Sequence, residues 1–175
     1  MERQYTGIDS VRELLDRDLK AITEEEVKRC AYVHLYGVGQ AAAFLAMRRG
    51  CDRRIAELAE TAGMLHDYVK YINNEEADHA EKSAVAARSI LIQIPEYSEE
   101  DRTSVCEAIR NHSRKNEKGN PFEEILKDAD ELQHYFRNPV EEFYFQKERV
   151  QRLLVELGIT SLKESSREDG EQNEC

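Results

Sequence analysis

The chain lacks several features that would send a reading elsewhere. It has no unbroken run of about 18 apolar residues, so no segment reads as a bilayer span. Its first residues, Met-Glu-Arg-Gln-Tyr, lack the apolar stretch of a signal peptide. Cysteine occurs at positions 30, 51, 106 and 175, and no two form a Cys-x-x-Cys pair. A disulfide framework is therefore not expected, and free thiols in a reducing cytoplasm are. Positive charge is in deficit: 25 Lys and Arg stand against 36 Asp and Glu, a net charge of −11. Such a surface repels nucleic acid and anionic lipid except at a local basic patch. Neither strand-like alternation nor an internal repeat appears.

What is present is helical periodicity. Ala, Glu, Leu and Arg are abundant, and all four favour helix. Residues 8–20 carry Ile8, Val11, Leu14, Leu15 and Leu19 on one face. Thr23 with Glu26 resembles a capping box, opening a helix that runs to about Arg49 and ends at Gly50. A helix is expected over 52–70, then a polar loop at Asn73–Glu76, a helix over 78–94 stopped by Pro95, and one from Ser98 to about Asn111. A basic, glycine-containing loop follows from Ser113 to Gly119. Asn120-Pro121 and Asn138-Pro139 both read as a cap followed by proline, opening two further helices. The second of these is expected to end at Gly158. The expectation is an all-α chain with one helical domain over 8–158, a short segment at 1–7 and a polar tail at 159–175, whose residues 161–175 read as disordered.

Polar residues then interrupt the apolar faces. His34 lies on the stripe of Val27, Ala31, Val38 and Leu45, and His66 on that of Ile55, Ala59 and Ala62. His112 follows Val105 and Ala108, and His79 leads Ser83, Ala86 and Ile90. One inward histidine is ordinarily a hydrogen-bonded core residue. Four of them from four helices, with Asp67 beside His66, would leave imidazole nitrogens unpaired in the core unless they share a metal. His134, four residues after Asp130, could share that face but reads as a partly exposed surface histidine. A further carboxylate stands in Asp128-Ala-Asp130. The two aspartates point about 200° apart on a helix, so only one faces the site. Periodicity alone leaves the choice between them open.

The order His34 … His66-Asp67 … Asp130 resembles the HD-domain superfamily of metal-dependent phosphohydrolases, over about residues 27–137. In that family the last aspartate stands in an Ala-Asp-x-Leu stretch, matched by Ala129-Asp130-Glu131-Leu132, and the resemblance therefore selects Asp130. His79-Ala-Glu-Lys-Ser-Ala, Ala-Ile-Arg-Asn-His112-Ser and His66-Asp67-Tyr68-Val69-Lys70 are similar to a six-ligand, dinuclear subset. That subset includes bacterial hydrolases that split diadenosine tetraphosphate symmetrically.

The resemblance implies an all-α, HD-type helical bundle and one or two divalent transition metal ions (Fe, Mn, Co, Ni or Zn). It implies ligands at His34, His66, Asp67, His79, His112 and Asp130, with Asp67 and Lys70 in the catalytic machinery. Lys70, Arg114 and Lys115 are the candidate phosphate contacts, since cationic side chains beside a metal site can hold phosphoryl oxygens. The expected activity is hydrolysis of a small phosphate ester or anhydride, a nucleotide or dinucleotide. The open alternative is a metal- or nucleotide-binding sensor or interaction domain without turnover. The expected partner is the small phosphorylated substrate, with neither membrane nor nucleic acid. A homodimer remains open.

Overall fold

Helix formation follows the caps. In the computed structural model, which describes residues 6–137 and 147–159, the described residues form eight helices and no strand. They are α1 (Gly7–Lys20), α2 (Glu25–Arg48), α3 (Arg53–Leu65), α4 (Tyr68–Ile72), α5 (His79–Leu91), α6 (Glu99–Asn111), α7 (Pro121–Arg137) and α8 (Lys147–Leu157). The chain is all-α, as its periodicity predicts. Asp52 caps α3 by accepting from the Ile55 amide at 2.8 Å. Ser98 and Asp101 close a reciprocal capping box on α6, and Asn120 Oδ1 accepts from the Phe122 and Glu123 amides at the start of α7. Gly158 ends α8 at φ 70°, a left-handed conformation suited to glycine.

Three boundaries differ from expectation. Thr23 caps nothing: α2 begins at Glu25, and Glu25 and Glu26 instead place carboxylates in its first turn, where the helix dipole favours them. The expected helix over 52–70 stops at Leu65 and resumes as the short α4 after His66-Asp67. The helix expected to reach Ile94 ends at Leu91, and turns carry the chain to Pro95. The proposed Asn138-Pro139 helix start and the 161–175 tail lie outside the described residues.

One apolar cluster joins all the helices except α4, whose Tyr68, Tyr71 and Ile72 pack against it. At its centre is α2, flanked by α3 and α7. By length and composition α2 alone among the described helices could cross a bilayer, because its few charges sit near its ends rather than within its middle. Here it is the core helix: Leu35, Val38, Ala42 and Leu45 are buried against the other helices. The α2–α3 contact is close because two glycines face each other. A Cβ on Gly63 would stand 2.6 Å from the Gly39 Cα and amide nitrogen. Backbone cannot yield as a side-chain tip can. Gly63→Ala is expected to lower stability by about 1–3 kcal/mol, the cost of overpacking. Urea denaturation would measure it, and an unchanged midpoint would show that the two helices separate freely.

Candidate metal centre

The break between α3 and α4 determines where the functional side chains meet. Neighbouring residues in a continuous helix point about 100° apart and cannot face one target. Asp67 leaves the helical region, at φ −111° and ψ 21°, so its carboxylate and the His66 imidazole turn into the same buried space. His34 enters that space from the middle of α2, His79 from the first residue of α5, His112 from the C-terminal end of α6 and Asp130 from α7. His34, His66, Asp67, His112 and Asp130 are buried, and the His79 side chain retains 21% of its exposure.

Each of the four imidazoles is fixed through Nδ1. His66 Nδ1 is 2.7 Å from the Gly63 carbonyl, His112 Nδ1 2.7 Å from that of Ile109, and His79 Nδ1 3.0 Å from that of Glu76. A carbonyl oxygen only accepts, so these nitrogens carry the proton. His34 Nδ1 donates to Gln133 Oε1 at 2.8 Å, and Gln133 orients its amide by donating from Nε2 to the Val33 carbonyl. Gly37 makes room for Gln133, since a Cβ there would meet its Cγ at 2.9 Å. In the neutral rings all four Nε2 atoms therefore present lone pairs inward. This is how protein partners orient histidines that bind metal.

The inward atoms face one another and two carboxylates. His34 Nε2 and His66 Nε2 are 3.2 Å apart, and two lone pairs at that distance repel unless a proton or metal cation stands between them. Asp67 Oδ2 lies 3.7 Å from both of these nitrogens, while its Oδ1 lies 3.3 Å from His79 Nε2 and from His112 Nε2. Asp130 Oδ1 is 3.5 Å from His34 Nε2 and 3.6 Å from His66 Nε2. Asp67 Oδ1 and Asp130 Oδ1 are buried and accept no hydrogen bond among the described residues. Buried carboxylate oxygens are costly without partners, so this donor set fits a divalent cation. Its mixture of imidazole and carboxylate suits first-row transition metals.

Electrostatics follow from the same crowding. Burial pushes the Asp67 and Asp130 carboxyls up, but the histidines around Asp67, and Lys115 with His134 and His66 around Asp130, outweigh it and hold both well below the usual carboxylate range. Burial dominates at His66 and lowers it. At His34 burial acts the same way, but Asp67, Asp130 and Gln133 more than offset it and raise the imidazole.

The two aspartates of α7 part company. Asp130 faces the centre. Asp128 faces the other side of α7 and pairs with Arg149 at 2.5 Å, Arg49 at 2.6 Å and Arg152 at 3.4 Å. Among the expected phosphate contacts, Lys70 Nζ lies 3.5 Å from Asp67 Oδ2 and 3.5 Å from Glu76 Oε1, at the partly open edge. Lys115 is turned inward: its Nζ donates to Asp130 Oδ2 at 2.5 Å and to the Lys127 carbonyl at 3.2 Å, and its side chain is only 12% exposed. Arg114 is exposed, 3.9 Å from Glu117. Three further residues join the site. Gln133 holds His34, the Tyr71 ring lies 5.8 Å from that of His34, and His134 Nε2 stands 3.4 Å from Asp130 Oδ1. The spacing of Gln133 and His134, three and four residues after Asp130, was the available signal for those two.

The HD domain family model matches residues 31–135, more than half of the chain, and that stretch holds every residue of the centre. No curated protein and no solved structure matches the chain.

The opposed environments of Asp128 and Asp130 predict opposed phenotypes. Asp128→Asn should lower the unfolding free energy by about 3 kcal/mol, because it removes the buried carboxylate that pairs with the buried Arg149 and the partly buried Arg49, and should keep the metal. Asp130→Asn should purify folded and depleted of metal. Urea melts and elemental analysis of both variants decide the matter, and metal retained in Asp130→Asn but lost in Asp128→Asn would reverse the assignment.

Proposed function

The chain belongs to the HD domain family of metal-dependent phosphohydrolases, and from that premise we propose that it hydrolyses a small phosphate ester or anhydride of a nucleotide or dinucleotide. The observation that carries the reading is the convergence of four Nε2 lone pairs, each fixed by an Nδ1 hydrogen bond, on two carboxylates with unsatisfied oxygens. The way Asp67 divides its oxygens supports the dinuclear form. Oδ2 faces His34 and His66, and Oδ1 faces His79 and His112. His34, His66 and Asp130 would hold one ion, His79 and His112 the other, with Asp67 shared. Divalent metal at this site supplies Lewis acidity toward a phosphoryl group and makes water acidic enough to be deprotonated near neutral pH.

The chain's own groups do the rest. The α3–α4 break presents Asp67 to both donor sets. Gln133, Gly63, Glu76 and Ile109 fix the imidazoles in advance, so little reorganisation accompanies charge development. Lys70 acts as a cation rather than a base. Burial opposes its charge, but Asp67 and Glu76 more than offset this and hold its ammonium above the usual lysine value. Half-buried beside Asp67, it is placed to stabilise negative charge on a phosphoryl oxygen. Arg114, two residues after His112 in sequence, is an exposed cation, whereas the Lys115 ammonium is already engaged by Asp130. A net charge of −11 works against a long polyanion and leaves a compact phosphate as the fitting substrate.

His66→Ala and Asp67→Ala should lose metal and hydrolysis together. Lys70→Met should keep metal and lower kcat about 100-fold, with a smaller effect on KM, because its charge acts mainly on the transition state. The assay is turnover of a nucleotide and phosphodiester panel by metal-loaded protein. Tight nucleotide binding with no turnover across the panel would replace the hydrolase with the sensor.

A further inference from the structure

Asp130 Oδ1 faces three imidazoles rather than two. His34 Nε2 stands at 3.5 Å, His66 Nε2 at 3.6 Å and His134 Nε2 at 3.4 Å. The third is outside the six-residue donor set described above. It arises from helix geometry. Residues four apart on a helix stack on one face, and side chains lean toward the N-terminus, which carries the His134 ring back over Asp130. The ring also packs against His34, with centroids 4.9 Å apart.

A hydrogen bond to Asp130 does not account for this placement. At 3.4 Å the contact is long for one, and Asp130 Oδ1 remains without a hydrogen-bond partner among the described residues. Ligation accounts for it better. Donor atoms of His34, Asp130 and His134 all lie within 4.8 Å of one another, the same closeness found in the His34–His66–Asp67 and Asp67–His79–His112 groups. Two donors at i and i+4 on one helix face form a chelating pair. The His134 side chain is 38% exposed, so this donor borders solvent, where the buried imidazoles do not.

We propose that His134 is a further metal donor, completing from the solvent side the coordination of the ion held by His34 and Asp130. This rests on the reading of the centre as a metal site. Its consequence is a chelate from one turn of α7, with the outermost donor on the side from which a substrate would approach.

The test is Co(II) titration of the full chain against a competing chelator, with the visible spectrum of the Co(II) form as a second readout. His134→Ala should weaken one ion about tenfold or more and change the intensity of the Co(II) bands, leaving the other ion and the helical circular dichroism as they were. His134→Gln keeps a hydrogen-bond donor but is a poor ligand, and should behave like His134→Ala. Wild-type affinity in His134→Gln would show that hydrogen bonding is the role and overturn the proposal. So would unchanged affinity and spectrum in His134→Ala. Failure of the unaltered protein to bind Co(II) would be a different result, removing the metal reading of the whole centre.

Discussion

Everything in this fold answers to the cost of placing four imidazoles and two carboxylates in one buried space. Each of those groups prefers water, and the low dielectric of a helical core magnifies any mismatch among them. The chain limits the cost by fixing the outer nitrogen of each imidazole. Three of the acceptors are backbone carbonyls three residues before the ring they hold, Gly63, Glu76 and Ile109. Each of these rings is thus aimed by the backbone turn that precedes it. His34 lies in the middle of α2, where no carbonyl is free, so a side chain, Gln133 of α7, does the same work. That in turn requires Gly37 on α2, one helical turn from His34, to leave space.

Helix α7 is the second organising element because its two faces carry opposite chemistry. Asp130 on one face enters the centre, and Asp128 on the other gathers Arg49 from just past the end of α2 and Arg149 and Arg152 from α8. Lys115 connects the two faces. Its ammonium holds Asp130 Oδ2, while its carbonyl accepts from Arg149, which is itself bound to Asp128. Asp130 is thereby held at one oxygen by protein, leaving the other for the centre. The basic loop after α6 is a built strut rather than a solvated cluster of charge, at least at Lys115.

Much of this was legible in the sequence. Helical periodicity gave the fold class, and the positions of His34, His66, His79 and His112 on apolar faces gave the convergence. The choice of Asp130 over Asp128 was not available from periodicity, since the two differ only in which side of α7 they take. It came from the Ala-Asp-x-Leu resemblance, and in space the choice rests on Arg149, an ion pair 21 residues distant in sequence. The break after Leu65 was hidden as well. Residues 52–70 keep an apolar period through the turn, and what interrupts the helix is the tertiary demand on His66 and Asp67, not a glycine or proline. Gln133 and His134 were masked by their ordinary meaning, since polar residues near the end of a helix are usually solvated.

That break explains why adjacent residues, rather than an i and i+4 pair, stand at the heart of the centre. In a helix, His66 and Asp67 could not both reach one ion. Released from it, Asp67 gains the freedom to direct its two oxygens to two sets of histidines, 3.7 Å from His34 and His66 and 3.3 Å from His79 and His112. The second set comes from α5 and α6, which pack on each other and, apart from α6 against α7, contact the rest of the site mainly through α3 and α4. A straight helix over 52–70 would leave those two histidines facing the core with no carboxylate between them and the α2–α7 pair. The interruption is therefore the feature that joins two half-sites into one centre.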